Sequence, residues 1–421
     1  MNLRHRILGY VRERLKADPP SLRLAFWDGE HFDFTPAPTV TIAIHSPKVL
    51  RKLATGDMSS LGDAYVRGDL TVEGAVRDVL HVGLKLADQV GRSRLVQRLA
   101  PLAAKIPGRH SRARDAGNVS HHYDVSNDFY ALWLDKEMVY SCAYFGTGRE
   151  SIDEAQERKL AHLCGKLRLR PGDRLLDIGC GWGGLLRWAA RHHGVTGVGV
   201  TLSREQHDYA RARIAAEGLS DRVDVRLLDY RDIEDAEGFD RIVSVGMYEH
   251  VGVKNLGGYF AGMARLLKPG GIALNHGITA GDPDGQATGP AGGDFIDRYV
   301  FPGGEIPHLS RVVYEVSRAG LEVTDIEDLR PHYARTLSRW VDRLEANAEA
   351  AQAAGGMERY RIWRMYMAGM GYAFDRGWLR LAQIVAYKPT SDTVMAPRPW
   401  TREALYRGGE TAPVESAPDW T

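Results

Sequence analysis

A run of apolar residues that ends in an aspartate and breaks into glycines, LLDIGCGWGG at 175–184, constrains this chain most strongly. The apolar part indicates a buried strand, and four glycines follow it, at Gly179, Gly181, Gly183 and Gly184. In an open α/β sheet, ligands bind beyond the carboxyl ends of the strands, and glycine lets the backbone approach a ligand without a Cβ in the way. Taken alone, the cluster indicates only a tight strand-to-helix turn.

Strand-like and helical patterns alternate from residue 173 onward. The strand-like segments after the glycines read VTGVGVTLS, RVDVRLLDY, FDRIVSVGM and GIALNHGIT. Between the first two, SREQHDYARARIAAEG has the serine cap and the glycine stop of a helix. Residues 308–389 add a helix, a strand, further helical stretches and a last strand, LRLAQIVAY. This alternation with short links predicts an α/β fold, a Rossmann-like parallel sheet with helices on both faces.

The length of 421 residues predicts more than one domain. Residues 1–115 are expected to form a small mixed α/β domain with a basic linker, because TVTIAIHSP alternates like a strand and residues 76–86 have helical periodicity. Residues 116–390 are expected to form the main α/β domain. Residues 391–421, with PRPW and GGETAPVESAPDW, read as a surface extension at the carboxyl terminus.

The segment 91–115 carries seven lysines and arginines against one acid, interleaved with apolar residues. One interpretation is a solvated helix and a basic linker. The other is an amphipathic segment on an anionic membrane surface, where each cation near the headgroups contributes about 1 kcal/mol. The sequence favours neither over the other.

Charge and cysteine content exclude several classes of protein. The 55 lysines and arginines against 54 acidic residues give a formal net charge of +1, so the overall charge gives no reason to expect a nucleic-acid partner. Three cysteines have neither the number nor the spacing of a disulfide framework or a zinc site, which favours a reducing compartment without a bound metal. The opening MNLRHRILGYVRERL lacks the apolar core of a secretory signal, and no stretch approaches the ~18 apolar residues of a membrane span.

Several long motifs follow one another in an order typical of one enzyme family. DIGCGWGG is similar to the first motif of Rossmann-like methyltransferases that use S-adenosylmethionine, and further motifs read HHYDVSNDFYALWLD, VYSCAYF, VGVTLSREQ, DYRD and FDRIVSVGMYEHVG. Together they resemble the cyclopropane-fatty-acyl-phospholipid synthase family, which includes the mycolic acid cyclopropane synthases. The resemblance covers 121–389 densely and LGDAYVRGDL at 61–70 less densely. It implies a class I methyltransferase fold.

The resemblance implies methyl transfer from S-adenosylmethionine to a cis double bond of a phospholipid acyl chain, then proton removal and ring closure. It also implies a bicarbonate ion that takes part in the proton removal, held by Cys142, Glu249, His276, Ile278 and Tyr333. Thiol, imidazole, phenol and backbone N–H groups can donate hydrogen bonds to a small oxyanion, and a carboxylate can accept its proton. The plainer alternatives are that Cys142 is a small buried hydrophobe and that His276 is a core residue of its strand.

The same resemblance implies a set of ten residues at the cofactor. Tyr140 and Ser141 are assigned to the methionine end, and Gly179 and Gly181 to a close backbone approach. The ribose, the adenine and the remainder of the site are assigned to Asp177, Thr201, Leu202, Gln206, Tyr230 and Arg231. His250 is assigned to the turn after its strand rather than to the site. The ribose-binding acid of dinucleotide oxidoreductases is missing after the second strand, where the chain reads Thr-Leu-Ser.

One alternative reaction remains open. A carbocation can lose its proton from either of two places, so a fatty-acyl methyltransferase or methylene transferase that makes a branched chain is the nearest alternative. The resemblance also implies a cytoplasmic enzyme on the inner face of the membrane and a homodimer. Tyrosine rather than tryptophan at position 230 and the extra amino-terminal domain favour membrane phospholipid as substrate over mycolate. The double-bond position and the headgroup are not determined by the sequence.

Overall fold

The computed structural model describes residues 4, 8–9, 12–13, 15–55, 58–91, 126–283, 293–391 and 400–405. The predicted basic segment 91–115, apart from its first residue, and most of the predicted extension 391–421 lie outside these residues. The chain divides into two compact units. The first comprises Met1–Arg109, Thr288–Pro302 and Ala348–Met370, and the second His110–Ala287, Gly303–Asn347 and Gly371–Thr421.

The first unit contains a mixed four-stranded sheet in the order β2-β1-β3-β4. Its strands are β1 (Leu22–Phe26), β2 (His31–Asp33), β3 (Val40–Ile44) and β4 (Leu70–Glu73). Strands β1 and β3 are parallel and the other two pairs are antiparallel. Three helices accompany the sheet, α1 (Pro47–Thr55), α2 (Met58–Arg67) and α3 (Val76–Gly91). Alternating residues of β1, at Leu22, Leu24 and Phe26, are buried in the core of this unit, because successive strand side chains point to opposite faces.

The second unit is built on a seven-stranded sheet in the order β10-β11-β9-β8-β5-β6-β7. Its strands are β5 (Arg174–Ile178), β6 (Thr196–Thr201), β7 (Val223–Leu227), β8 (Phe239–Val245), β9 (Leu267–Ala280), β10 (Glu322–Asp328) and β11 (Leu379–Tyr387). The five from β7 to β9 are parallel, whereas β11 runs antiparallel to both β9 and β10. The predicted α/β fold is confirmed, with the correction that the sheet is not parallel throughout.

Helices cover both faces of this sheet. The helices after α3 are α4 (Asn127–Ala131), α5 (Ile152–Leu167), α6 (Gly184–His193), α7 (Arg204–Ala216), α8 (Leu256–Leu266), α9 (Gly293–Tyr299), α10 (Leu309–Arg318), α11 (Arg330–Ala346) and α12 (Ala348–Asp375), but α9 and most of α12 belong to the first unit. One apolar cluster packs α5, α6 and α7 against the sheet, and a second packs α8 and α10 against it. Among the residues described, no helix is long and apolar enough to span a bilayer.

The chain reverses direction across the sheet at β5. It runs outward from β5 through β6 to β7 and then returns to β8, on the other side of β5. At such a switch point the loops after neighbouring strands diverge and leave a crevice beyond their carboxyl ends. The glycine motif at 179–184 therefore borders the place where this fold binds ligands.

Two later segments join the first unit. On α9, Arg298 donates to the Asp63 carboxylate on α2, and the hydroxyl of Tyr299 donates to Asp63 Oδ1 at 2.9 Å. On α12, Arg364 is buried and donates to the hydroxyl of Tyr65 and to the carbonyl of Gly74. These contacts connect residues far apart in the sequence.

Candidate functional site

A cleft with an open volume of about 1130 Å³ lies at the carboxyl ends of β5, β6 and β8. All ten residues assigned to the cofactor line it: Tyr140, Ser141, Asp177, Gly179, Gly181, Thr201, Leu202, Gln206, Tyr230 and Arg231. They come from four separate stretches of sequence, three of which lie at the carboxyl ends of β5, β6 and β7. His250, which was assigned to the turn, lines the same cleft and therefore lies at the site as well.

The glycine motif forms the floor of this cleft. Gly179 has φ +81°, and a Cβ built there would lie 3.0 Å from Met247 Cγ, so a larger residue would meet both strained backbone and a close neighbour. The backbone N–H groups of Gly179 and Cys180 both donate to the Val200 carbonyl of β6 at 3.0 Å. The turn is thereby fixed to the neighbouring strand, and its bare backbone faces the cleft.

The far wall of the cleft is held by local hydrogen bonds. Thr201 Oγ1 donates to Gln206 Oε1 at 2.7 Å, which orients the amide at the start of α7. Asp229 accepts two hydrogen bonds from the Arg231 guanidinium, at 2.8 and 2.6 Å, and the guanidinium carbon lies 5.5 Å from the centre of the Tyr230 ring. The wall thus presents an aromatic face beside a cation that already has a carboxylate partner.

A segment before α5, residues 138–141, also lines the cleft and contains an uncommon backbone conformation. Met138 has φ +58°, which is uncommon for a residue with a side chain. Asp135 accepts from the backbone N–H groups of Glu137 and Val139, both at 2.9 Å, and so fixes the turn on either side of Met138. Burial raises the pKa of Asp135 to about 6, against the lowering effect of these hydrogen bonds.

Two buried polar residues of α5 donate hydrogen bonds to this segment. Gln156 donates its amide to the carbonyls of Val139 and Ser141, at 3.1 and 2.8 Å. Lys159 donates its ammonium to Ser141 Oγ at 2.9 Å and itself lines the cleft. Sequence reasoning missed Lys159. A signal was present, because Gln156 and Lys159 fall on the same helical stripe as the buried residues Ile152, Ala155, Leu160 and Leu163.

The residues assigned to the anion are not among those that line this cleft. Glu249 follows β8, and its Oε1 accepts the Ile278 backbone N–H of β9 at 2.7 Å. This N–H therefore orients the carboxylate and is not free for a small anion, which differs from the sequence expectation. Burial raises the pKa of Glu249 to about 7. Its Oε2 is buried, and it has no hydrogen-bond partner within the described part of the chain.

His276 lies two residues before Ile278, on β9, between Val245 of β8 and Gln383 of β11. Its Nδ1 is 3.1 Å from Gln383 Nε2, while its Nε2 is buried and none of the described residues bonds to it. Burial, with the positive charges of Lys159 and Lys166, lowers the pKa of His276 well below its ordinary value. The imidazole is therefore neutral.

Cys142 and Tyr333 both approach the carbonyl of Leu329, the residue just before α11. The Cys142 thiol lies 3.3 Å from the carbonyl of Ala143 and 3.9 Å from that of Leu329, and the Leu329 carbonyl accepts the Tyr333 backbone N–H at 3.1 Å. The Leu329 N–H in turn donates to the carbonyl of Leu381, which lies opposite Ile278 in the β11–β9 register. A chain of backbone contacts thus links both residues to Ile278 and Glu249.

Cys142 has the environment of an inert thiol. It is fully buried, and burial raises its pKa far above the ordinary value although Lys159 opposes this. A thiolate is the nucleophilic form of cysteine, so this environment is unsuited to a covalent nucleophile. A thiol in such a position can still donate one weak hydrogen bond.

Comparison with known proteins agrees with the motifs. A family model described as mycolic acid cyclopropane synthetase matches residues 110–384, and one for a domain of unknown function matches 15–94. A "probable fatty acid methyltransferase" of Pseudomonas putida is 47% identical over 386 residues, which is 92% of this chain and 96% of the relative. The cyclopropane-fatty-acyl-phospholipid synthase of Escherichia coli K12 is 41% identical over 265 residues, 63% of this chain and 66% of the relative.

Solved structures agree with the fold. The cyclopropane synthase MmaA2 from Mycobacterium tuberculosis is 33% identical and has a TM-score of 0.62, covering 65% of this chain and 98% of its own. The mycolic acid cyclopropane synthase CmaA1, solved in complex with SAH and CTAB, is 35% identical with a TM-score of 0.61, over the same shares. The predicted class I methyltransferase fold and the predicted family are both confirmed. The chain belongs to the mycolic acid cyclopropane synthetase family, whose enzymes use S-adenosylmethionine to transfer methyl or methylene groups to lipids.

Proposed function

We propose that this protein is a cyclopropane fatty acid synthase, which adds a methylene group from S-adenosylmethionine across the cis double bond of an unsaturated phospholipid acyl chain. The observation that supports it most is the half-satisfied carboxylate of Glu249, which does not line the cofactor cleft. When a methyl group is transferred to nitrogen or oxygen, the acceptor atom loses an acidic proton easily. Transfer to a carbon–carbon double bond instead requires a group in the enzyme that removes a proton from carbon.

The cleft suits S-adenosylmethionine, which supplies the methyl group when it is bound. Backbone exposed at Gly179 allows close approach of a ligand, and the aromatic face of Tyr230 offers a stacking surface for a base. Tyr140 and Ser141 also line the cleft, on the segment that leads directly to Cys142. This order of residues would put the reacting end of the cofactor next to a second site, formed by the residues assigned to the anion.

The second site suits a small oxyanion, and bicarbonate would supply a base there when bound. Two buried polar atoms, Glu249 Oε2 and His276 Nε2, have no hydrogen-bond partner among the residues described, and leaving such atoms unpaired is costly unless a ligand bonds to them. In this proposal the Cys142 thiol exchanges its contact with a backbone carbonyl for one with the anion, the Tyr333 hydroxyl donates to the anion, and Glu249 accepts its proton. Ile278 acts by holding the carboxylate in place.

These residues supply the chemistry that ring closure demands. When the double bond takes up a methyl group, a positive charge develops on the neighbouring carbon of the acyl chain. A proton then leaves the new methyl group, and its C–H electron pair closes the third bond of the ring. The pKa of about 7 keeps Glu249 ready to accept and release a proton near neutral pH. Buried surroundings exclude water, which would otherwise capture the cation.

A fatty-acyl C-methyltransferase is the second candidate. The Pseudomonas putida relative with that name spans 92% of this chain, whereas the Escherichia coli synthase aligns with 63% of it. Both reactions share the methyl transfer and the cation. They differ in which carbon loses the proton, because loss from a chain carbon leaves a methyl-branched unsaturated chain instead of a ring.

We further propose that the enzyme works as a homodimer on the cytoplasmic face of a membrane, with residues 1–115 contributing to lipid contact. The phospholipid named as substrate of the Escherichia coli relative supports this setting, because its acyl chains are presented by a bilayer. Removing 1–115 is expected to weaken binding to anionic vesicles and to leave S-adenosylhomocysteine binding intact. Unchanged vesicle binding would contradict a role for this region.

The test is to incubate the protein with S-adenosylmethionine and vesicles of mono-unsaturated phospholipid, then to analyse the released acyl chains by mass spectrometry and proton NMR. Upfield ring protons are expected. Methyl-branch or vinyl signals would replace the proposal by the second candidate. Absence of any added carbon, with phospholipid and free fatty acid alike, would refute both.

A further inference from the structure

A buried lysine stands at the wall of the cofactor cleft. Lys159 is 1% exposed and donates one hydrogen bond to Ser141 Oγ, although an ammonium has three N–H donors. Burial lowers its pKa to about 8, against the opposing effect of Asp135, Cys142 and Asp177. A pKa of about 8 still favours the charged form at neutral pH. Burying this cation lowers the stability of the folded protein.

A buried carboxylate lines the same cleft. Asp177 ends β5, is 3% exposed, and has an Oδ1 that accepts no hydrogen bond from any residue the structure describes. Burial raises its pKa to about 7, with Lys159 opposing the rise. The cleft therefore presents one ammonium and one carboxyl group, each with unused hydrogen-bonding capacity.

This pair matches the charges of one ligand fragment. An α-amino acid carries a carboxylate and an ammonium on the same carbon, whereas the adenosine part of S-adenosylmethionine is neutral. Ser141 accepts from Lys159 through its oxygen, which leaves the hydroxyl proton to be donated to a ligand acceptor. A hydroxyl polarised by an ammonium is a stronger donor to a carboxylate.

We propose that Lys159, acting through Ser141, is the charge partner of the α-carboxylate at the methionine end of the cofactor, and that Asp177 accepts from the α-ammonium. Lys159 is in this sense a positioning residue. The inference rests on the proposed use of S-adenosylmethionine and adds to it the recognition of the amino acid end.

The second strong cation that lines the cleft is poorly suited to this role. Arg231 is held by two hydrogen bonds to Asp229, and its guanidinium carbon lies 5.5 Å from the centre of the Tyr230 ring. Its charge is already balanced by a carboxylate. Arg231→Met therefore serves as the matched control, because it removes a cation from the same cleft without touching the proposed subsite.

Isothermal titration with two ligands tests the proposal. S-adenosylhomocysteine carries the amino acid end, and 5′-methylthioadenosine has the same adenosine and thioether but lacks it. Lys159→Gln and Lys159→Met are expected to weaken S-adenosylhomocysteine binding by about ten- to hundredfold and to change methylthioadenosine binding by less than about threefold. Arg231→Met is expected to show no such preference between the two ligands.

The outcomes separate the possible failures. Equal loss of both ligands in the Lys159 variants, with unchanged circular dichroism and melting, would mean that the lysine merely supports the wall and would overturn the proposal. Unchanged binding of S-adenosylhomocysteine would overturn it as well. If the unaltered protein bound neither ligand, the proposed use of S-adenosylmethionine would fail first. Met at 159 is close to lysine in volume and removes a buried charge, so this variant is expected to fold.

Discussion

The substitution Glu249→Gln separates the effect of a buried carboxylate on the free energy of unfolding from its effect on catalysis. Glu249 is 9% exposed, and its Oε1 accepts the Ile278 N–H at 2.7 Å. The carbonyl oxygen of glutamine can accept the same hydrogen bond at nearly the same volume. The substitution therefore changes little besides the charge and the second oxygen, the one that no described residue satisfies.

The pKa gives the expected change in stability. The pKa of Glu249 rises from an ordinary 4.5 to about 7 on folding. Between these values the folded protein holds a proton that the unfolded chain has released, so stability is greatest below about pH 4.5 and is lost as the pH rises through about 7. The full cost above pH 7 is about 3 kcal/mol. Glutamine does not titrate, so the variant should gain about that much stability relative to the unaltered protein from about pH 5 to about pH 8.

The same variant should lose activity. A positioned acid–base group contributes about 100- to 10,000-fold to the rate, so kcat should fall by at least about 100-fold. Binding of S-adenosylhomocysteine should stay within about threefold, since Glu249 lies outside the cofactor cleft. Urea unfolding followed by tryptophan fluorescence at the two pH values and a turnover assay measure these effects. A stability difference that is equal at both pH values, or full activity, would refute the reasoning.

Three further changes test other parts of the structure. Gly179→Ala should destabilise the protein by about 1–2 kcal/mol and weaken S-adenosylhomocysteine binding, because alanine is strained at φ +81°; tight binding in calorimetry would contradict the close approach. Arg187→Met should lower the free energy of unfolding in urea by about 3–5 kcal/mol, because Arg187 is fully buried between Glu137 and Glu217. Arg191 pairs with the same acids but is partly exposed, so Arg191→Met should lower it less. The three buried cysteine thiols should resist iodoacetamide in the folded protein and react in urea; rapid labelling of the folded protein would contradict their burial and raised pKa values.

The sequence predicts the cleft well because its residues sit in contiguous motifs at strand ends. The period of the apolar runs gives β5 to β9 and their helices, and the motif order gives ten of the residues that line the cleft. The antiparallel direction of β11 was not predicted, because an apolar run such as LRLAQIVAY is compatible with either direction. Lys159 was missed because a charged residue in a helix is usually solvated, and only its position on the buried stripe shows otherwise.

The second site is harder to predict because strand pairing and backbone contacts between distant segments bring its residues together. Cys142 and Tyr333 reach Ile278 through backbone bonds at Leu329 and Leu381, and no local pattern contains that path. The grouping of Thr288–Pro302 and Ala348–Met370 with the first unit likewise depends on long-range contacts such as Arg298 with Asp63. Local periodicity specifies elements, whereas the pairing of distant elements depends on the whole fold.

The central claim is that a proton leaves the newly transferred methyl group and closes a ring. S-adenosylmethionine carrying a fully deuterated methyl group tests it, with mono-unsaturated phospholipid vesicles as substrate and mass spectrometry with NMR of the product. A cyclopropane ring that retains two of the three deuterons is the expected result. Retention of all three in a branched chain, or no transfer of label, would contradict the account.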